Sequence, residues 1–248
     1  MKQLTEKDFP DIKEELKTGR ISPEGIRFGL GAFMFFSALM IGIAYMVVNA
    51  SNTVIGWENL SFFWQTIFKL QVVLFILQLF LIFIARGRSN RSQIALNVSF
   101  VLYTYKTVLD PFIMTLMFAK DRGVYNEYAP LVGIIILLGF ILHFYLVFKA
   151  FQNIRNEQSI NREVKKEKNN KSSFTVLIPF VFLVASITGY IVNNDLLGEN
   201  EILFGVGIST LVFIAILIGA IEFVKGAYCV IRFPSFRVNP PSTKKKNA

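Results

Sequence analysis

A lysine, an aspartate and a proline lie inside one long apolar stretch of the sequence, residues 97–118. Lys106 and Asp110 are one helical turn apart, and Pro111 follows directly. Charged groups at membrane depth are costly, and they are retained for a packed ion pair or for a working site. Because Pro111 has no N–H, the carbonyl of Thr107 loses its partner within a helix, and we expect a kink there. The stretch therefore predicts a polar site inside a membrane-spanning helix.

A second lysine, Lys69, lies in the preceding apolar stretch, residues 61–85. At the rise of an α-helix, Lys69 and Asp110 are each about 12 Å from the same end of their helices. A short loop joins these helices, so we expect them to be antiparallel neighbours and predict a Lys69–Asp110 ion pair. Lys106, one helical turn from Asp110, can also reach this carboxylate, so two lysines compete for one acid and one cation is left over. The excess lysine favours an anionic solute or an anionic lipid headgroup as ligand. The other predicted binding residues are Tyr103, Gln65 and Gln71.

A purely structural role for these charges is the alternative, because buried ion pairs also serve to fix helix register. Long lysine side chains can in addition extend along an apolar surface to reach the membrane boundary. Both interpretations are compatible with the sequence.

Few residues of the chain suit metal, haem or enzyme chemistry. The sequence has one histidine, His143, and one cysteine, Cys229. A single His excludes a bis-His haem site within the chain and disfavours a His-based metal cluster, and a single Cys excludes an intrachain disulfide. The sequence also has no HExxH motif and no phosphate-binding glycine-rich loop. We therefore expect no enzymatic activity, no cofactor and no metal, and we expect His143 to hydrogen-bond another helix.

The composition of the 248 residues is typical of a membrane protein. Apolar residues make up 53% of the chain and charged residues 17%, against about 45–50% and 25% in soluble domains. Apolar blocks of about 20 residues alternate with short polar segments. The predicted fold is an all-α, polytopic bundle of six transmembrane helices, placed at about 23–48, 61–85, 94–118, 130–148, 174–192 and 202–231.

Three polar segments flank or interrupt this predicted transmembrane domain, residues 23–231. Residues 149–173 form a basic loop, into which the fourth helix is expected to continue, and residues 232–248 form a basic tail. The N-terminal segment, residues 1–22, is expected to contain a short amphipathic helix that lies on the membrane surface or docks on the loops. Three apolar residues at helical spacing indicate this helix: Phe9, Ile12 and Leu16.

The distribution of basic residues predicts the orientation. Of the 26 lysines and arginines, 21 lie on one set of loops and the two ends, whereas the opposite loops hold only Lys120 and Arg122. By the positive-inside rule both termini are cytoplasmic. The rule also explains the net charge of +9 without a nucleic-acid partner. The first apolar run is too long for a cleaved signal peptide, so we expect a multi-pass protein of a bacterial plasma membrane whose basic loops contact anionic lipid headgroups.

Two classes of function remain open. The first is a membrane transport protein, either a permease or a channel-like subunit, with its polar site between the second and third helices. The second is a non-transporting subunit that anchors, assembles or regulates a larger membrane complex. In both cases the expected partners are the bilayer and either another membrane protein or a second copy of the chain.

Overall fold

The computed structural model describes residues 4–50, 53–84, 90–157 and 200–237, and within these ranges the secondary structure is helical. Short 3₁₀ turns at Glu6–Asp8 and Pro234–Phe236 flank the longer helices. The helices are α1 (Pro10–Thr18), α2 (Pro23–Asn49), α3 (Phe62–Ile84), α4 (Asn90–Thr107), α5 (Asp110–Asp121), α6 (Tyr125–Glu157) and α7 (Glu201–Arg232).

Four of the described helices are long and apolar enough to cross a membrane: α2, α3, α6 and α7. They correspond to the first, second, fourth and sixth predicted spans. The fifth predicted span, 174–192, lies outside the described residues, as do most of the basic loop and most of the basic tail. The described part of the chain is therefore all-helical and contains four candidate membrane-spanning helices.

The third predicted span, 94–118, consists of two helices rather than one. Val108 and Leu109 separate α4 from α5, and the N–H of Leu109 bonds the carbonyl of Lys106 at 3.1 Å. Pro111 is in the first turn of α5, where helices tolerate a residue without an N–H. The interruption thus lies immediately before Pro111, at the depth of the predicted polar site.

The start of α6 corrects a predicted boundary. The sequence predicts a helix over 130–148 with Pro130 in its first turn, but α6 begins five residues earlier. Gly123 sets this boundary: its φ of 75° reverses the chain after α5, and the N–H of Val124 bonds the carbonyl of Ala119 at 2.9 Å. Pro130 is inside the helix at the cost of one intrahelical hydrogen bond. The predicted extension of this helix beyond residue 148 is confirmed, since α6 ends at Glu157.

The amphipathic helix α1 packs against the C-terminal end of α7, and we call this end of the bundle the proximal end. Phe9, just before α1, is buried, and its ring centroid is 6.0 Å from those of Tyr228 and Phe233. The Arg20 guanidinium is 2.6 Å from the Glu222 carboxylate. The N-terminal segment and the end of α7 therefore lie at the same end of the bundle.

The opposite, distal end is held by contacts between loops and helix ends. The hydroxyl of Thr53 donates to Asp121 at 2.7 Å, and the Arg122 guanidinium is 3.0 Å from the Glu201 carboxylate. The rings of Trp64 and Tyr125, near the starts of α3 and α6, lie 6.2 Å apart. These contacts place the starts of α3, α6 and α7 together at the distal end.

Helices α4 and α5 lie between α2 and α7 at the centre of the described bundle, whereas α3 and α6 are peripheral. Seven of the twelve residues of α5 are buried, against 17% of the apolar part of α3 and 11% of that of α6. A close approach fixes α2 against α4: a Cβ on Gly29 would be 2.7 Å from the ring of Phe100. Two helical turns further along, the same pair of helices brings Ser37 of α2 to Lys106 of α4.

Candidate functional site

Asp110, the first residue of α5, is the centre of a buried polar cluster. Its side chain is fully buried, and both carboxylate oxygens accept hydrogen bonds. Oδ2 accepts from Lys106 Nζ at 2.8 Å and from the Ser37 hydroxyl, and Oδ1 accepts from Gln71 Nε2 at 3.2 Å. Side chains of α2, α3 and α4 thus converge on one carboxylate. We call these four residues, Ser37, Gln71, Lys106 and Asp110, the junction cluster.

The position of the ion pair follows from the interruption between α4 and α5. Lys106 is in the last turn of α4, where the helix dipole favours a cation, and Asp110 is at the start of α5, where it favours an anion. Lys106 Nζ also donates to the Ser37 hydroxyl oxygen and lies 4.8 Å from the centroid of the Phe75 ring. This ring contact adds a cation–π attraction. The ion pair therefore bridges the two helices across the residues that interrupt them.

The junction cluster is formally neutral, and its two charges satisfy each other. One polar atom of the cluster, Gln71 Oε1, is buried and has no hydrogen-bond partner among the residues that the structure describes, and the same holds for Oγ1 of Thr107, the residue after Lys106 in the sequence. Buried polar atoms without a partner are uncommon in folded proteins and often indicate a bound water or ligand. The cluster thus combines an ion pair with unused hydrogen-bonding capacity.

The predicted ion pair between Lys69 and Asp110 is wrong. Lys69 is exposed on α3, and within the described ranges it forms no salt bridge, whereas Asp110 pairs with Lys106. The predicted level of the site along α3 is correct to within two residues, because Asp110 contacts Gln71, which lies two residues after Lys69. Two residues correspond to a rotation of about 200° around a helix, so Lys69 faces away from the bundle. Lys106 is consequently not a spare cation but the partner of Asp110.

Two other predicted binding residues lie outside the junction cluster. The hydroxyl of Tyr103 donates to the carbonyl of Leu74 at 2.9 Å and so connects α4 to α3. The amide of Gln65 donates to the carbonyls of Trp57 and Leu60 at 3.2 and 3.0 Å, which fixes the loop before α3. The structure therefore brings together Lys106, Asp110 and Gln71 from the predicted set, and separates Tyr103, Gln65 and Lys69 from them.

Sequence reasoning missed Ser37, which contacts both charged groups. Its only signal is a hydroxyl in an otherwise apolar run, and nothing in that run shows which face of α2 it occupies. The expectation for His143 is confirmed: its Nε2 is 2.8 Å from the hydroxyl of Tyr105, a contact between α6 and α4.

Within the described ranges, a surface groove lies apart from the junction cluster. A groove of about 680 Å³ lies between α6 and α7, and its lining includes Leu131, Ile135, Leu203, Gly207 and Leu211. Over the described ranges, no three His, Cys, Asp or Glu side chains are grouped as metal ligands. Comparison of the chain with protein families, with curated proteins and with solved structures gives no match. The geometry of the junction cluster is therefore the basis for assigning a function.

Proposed function

We propose that this chain is an integral membrane transport protein, a permease or channel-like subunit, whose working site is the junction cluster. The ligand class is an anionic solute or an anionic lipid headgroup. In this proposal the chain crosses a bacterial plasma membrane six times, with both termini in the cytoplasm. The asymmetry of basic residues supports that orientation.

The ends of the described helices support an even number of crossings. α6 ends at the proximal end, where the ring of Phe151 is 5.1 Å from that of Tyr228, and α7 begins at the distal end beside Arg122. The end of α6 and the start of α7 therefore lie at opposite ends of the bundle. This agrees with a crossing at the apolar stretch 174–192, with α4 and α5 together counted as one span.

The observation that carries the proposal is a buried ion pair at a break in a membrane helix. An ionisable residue inside a span is a candidate functional residue, because an apolar side chain at the same position costs less free energy to bury. Interrupted helices near the middle of the membrane are a recurrent way to build a substrate site in transporters. Lys106 and Asp110 satisfy both descriptions, since they flank the interruption and lie within the protein.

The geometry indicates how an anion would be bound. An anion that enters the cluster takes the place of the Asp110 carboxylate as the partner of Lys106. Asp110 then keeps its hydrogen bonds from Ser37 and Gln71, which reduces the cost of losing the lysine. Binding is thus an exchange of counterions at Lys106, and because the cluster is neutral before the anion enters, uptake of one proton by Asp110 keeps it neutral.

Anion flux into proteoliposomes tests the proposal. Vesicles with valinomycin are shifted into potassium salts of chloride, phosphate, acetate or glutamate, and reswelling is followed by light scattering. We expect at least one anion to enter faster than in protein-free vesicles. The double variant Lys106→Met/Asp110→Asn, which has no unpaired buried charge, should remain folded and lose this flux, whereas Lys69→Met should retain it. Equal flux in the double variant and the wild type would refute the role of the cluster.

The second candidate function is a non-transporting subunit of a larger membrane complex. The observation that favours it is the charged side chain of Lys69 on the exposed face of α3. In this case the junction cluster only fixes helix register. No tested anion, and no labelled anionic phospholipid, then crosses the vesicle membrane faster than in protein-free vesicles.

A further inference from the structure

Helix α3 carries a lysine on the face that points away from the bundle. The side of α3 that packs inward contains Trp64, Phe68, Gln71 and Gln78, all of which are buried. Lys69 lies on the opposite side, about 10 Å along the helix from its distal start. Its neighbours on that side at helical spacing are exposed and mostly apolar: Phe62, Thr66, Val73, Ile76 and Phe80.

The chain itself supplies no acidic group to Lys69 within the spans. The six predicted spans contain three acidic residues. Asp110 is paired with Lys106, and Glu222 is paired with Arg20 at the proximal end. Glu24 is in the first turn of α2, also at the proximal end, whereas Lys69 is in the distal half of α3. A carboxylate that meets Lys69 within the membrane therefore comes from another molecule.

A second copy of the chain does not provide that carboxylate through the same face. A two-fold symmetric contact between α3 helices places the same residues of both copies near the axis. Two copies with the same orientation in the membrane have their Lys69 side chains at the same depth. Like charges at such a contact repel each other, most strongly where water is excluded. The charge on this face thus selects against self-association.

We propose that the exposed face of α3 binds a transmembrane helix of a different membrane protein, and that this helix carries an Asp or Glu level with Lys69. The apolar residues on either side of Lys69 pack against the partner helix, and the carboxylate neutralises the lysine. Polar contacts between helices in a bilayer stabilise association and fix its register. This proposal concerns a surface on the outside of the bundle and is independent of the transport proposal.

Binding of designed transmembrane peptides tests this interface. The probe is a 23-residue Leu/Ala helix with one Glu at its eighth residue from the distal end. Matched peptides carry Gln at that position, or Glu eight residues deeper. The tagged protein and a fluorescent peptide are placed in phosphatidylcholine nanodiscs. The fraction of peptide that remains bound to the protein is measured as the amount of lipid is increased. We expect the Glu peptide to bind about tenfold more tightly than the Gln peptide and than the displaced Glu peptide.

Variants at Lys69 determine whether this preference arises at the proposed face. Lys69→Met should abolish the preference for the Glu peptide over the Gln peptide. Lys69→Glu should instead bind a peptide with Lys at the eighth position more tightly than the Glu peptide. The matched control is Lys120→Met, at the end of α5, which should leave the preference unchanged. Equal binding of the Glu and Gln peptides, or a preference that persists in Lys69→Met, would overturn the proposal and leave Lys69 as a lysine that extends to the lipid headgroups. Because these assays do not measure flux, they are separate from the test of transport.

Discussion

A double-mutant cycle on Lys106 and Asp110 measures what the buried ion pair contributes to stability. Lys106→Met leaves a carboxylate that is fully buried and has only two neutral donors, Ser37 and Gln71. Removing one partner of a buried ion pair costs about 3–5 kcal/mol, because the other charge remains without compensation. Asp110→Asn leaves the Lys106 side chain, 13% exposed, beside the Phe75 ring and should cost an amount at the lower end of that range. Replacing both residues removes both charges, and the double variant should be more stable than either single variant.

Unfolding of the purified protein by SDS in mixed micelles is a suitable assay. Helix content is followed by circular dichroism, and tertiary structure by the fluorescence of Trp57 and Trp64. A loss of 3 kcal/mol lowers the ratio of folded to unfolded protein by more than about a hundredfold, which shifts the transition clearly. The matched control is Lys69→Met, since this lysine is exposed and forms no ion pair within the described ranges. We expect the control to remain within about 0.5 kcal/mol of the wild type.

Two results would refute the reasoning. If Lys106→Met destabilises the protein no more than Lys69→Met, then Lys106 does not compensate a buried charge. If the double variant loses the sum of the two single losses, the two residues do not interact, since additive effects indicate independent sites.

Two further predictions concern contacts of α6, and both are measured in the same unfolding assay. Gly139→Ala should destabilise the protein by about 1–3 kcal/mol, because its Cβ would overlap the buried ring of Phe213, whereas Gly133→Ala on the same helix meets nothing within 4 Å and should be neutral or stabilising. A wild-type transition in Gly139→Ala would show that α6 does not pack this closely. Tyr105→Phe should lower the free energy of unfolding by about 1–3 kcal/mol, because His143 Nε2 loses its partner at 2.8 Å while it remains buried. An unchanged unfolding transition would contradict that hydrogen bond.

Local pattern explains most of the helix positions. Ser22 and Pro23 are typical of a helix start, and the Ser22 hydroxyl accepts from the N–H of Gly25 at 3.1 Å at the beginning of α2. The spacing of Phe9 and Leu16 predicts an amphipathic helix, and both residues are buried against the protein. Apolar runs place α3 and α7 to within a residue or two. The sequence misplaces the start of α6, because Pro130 is typical of a first helical turn, whereas the turn that precedes the helix is set by Gly123.

The site was harder to predict than the helices, because it depends on rotation about helix axes. The presence of charges within the apolar runs, a kink at Pro111 and the approximate depth of each group follow from the sequence. The contact of Asp110 with Gln71 rather than with Lys69, and the part that Ser37 plays in the cluster, follow only from the packing of the helices. The physical reason is that depth grows by a fixed rise per residue, whereas the direction of a side chain depends on which face of its helix packs against the neighbours. In α3 the polar residues lie on two different sides of the helix, with Gln65, Thr66 and Lys69 on one and Gln71 and Gln78 on the other, so the sequence alone does not show which side faces the bundle.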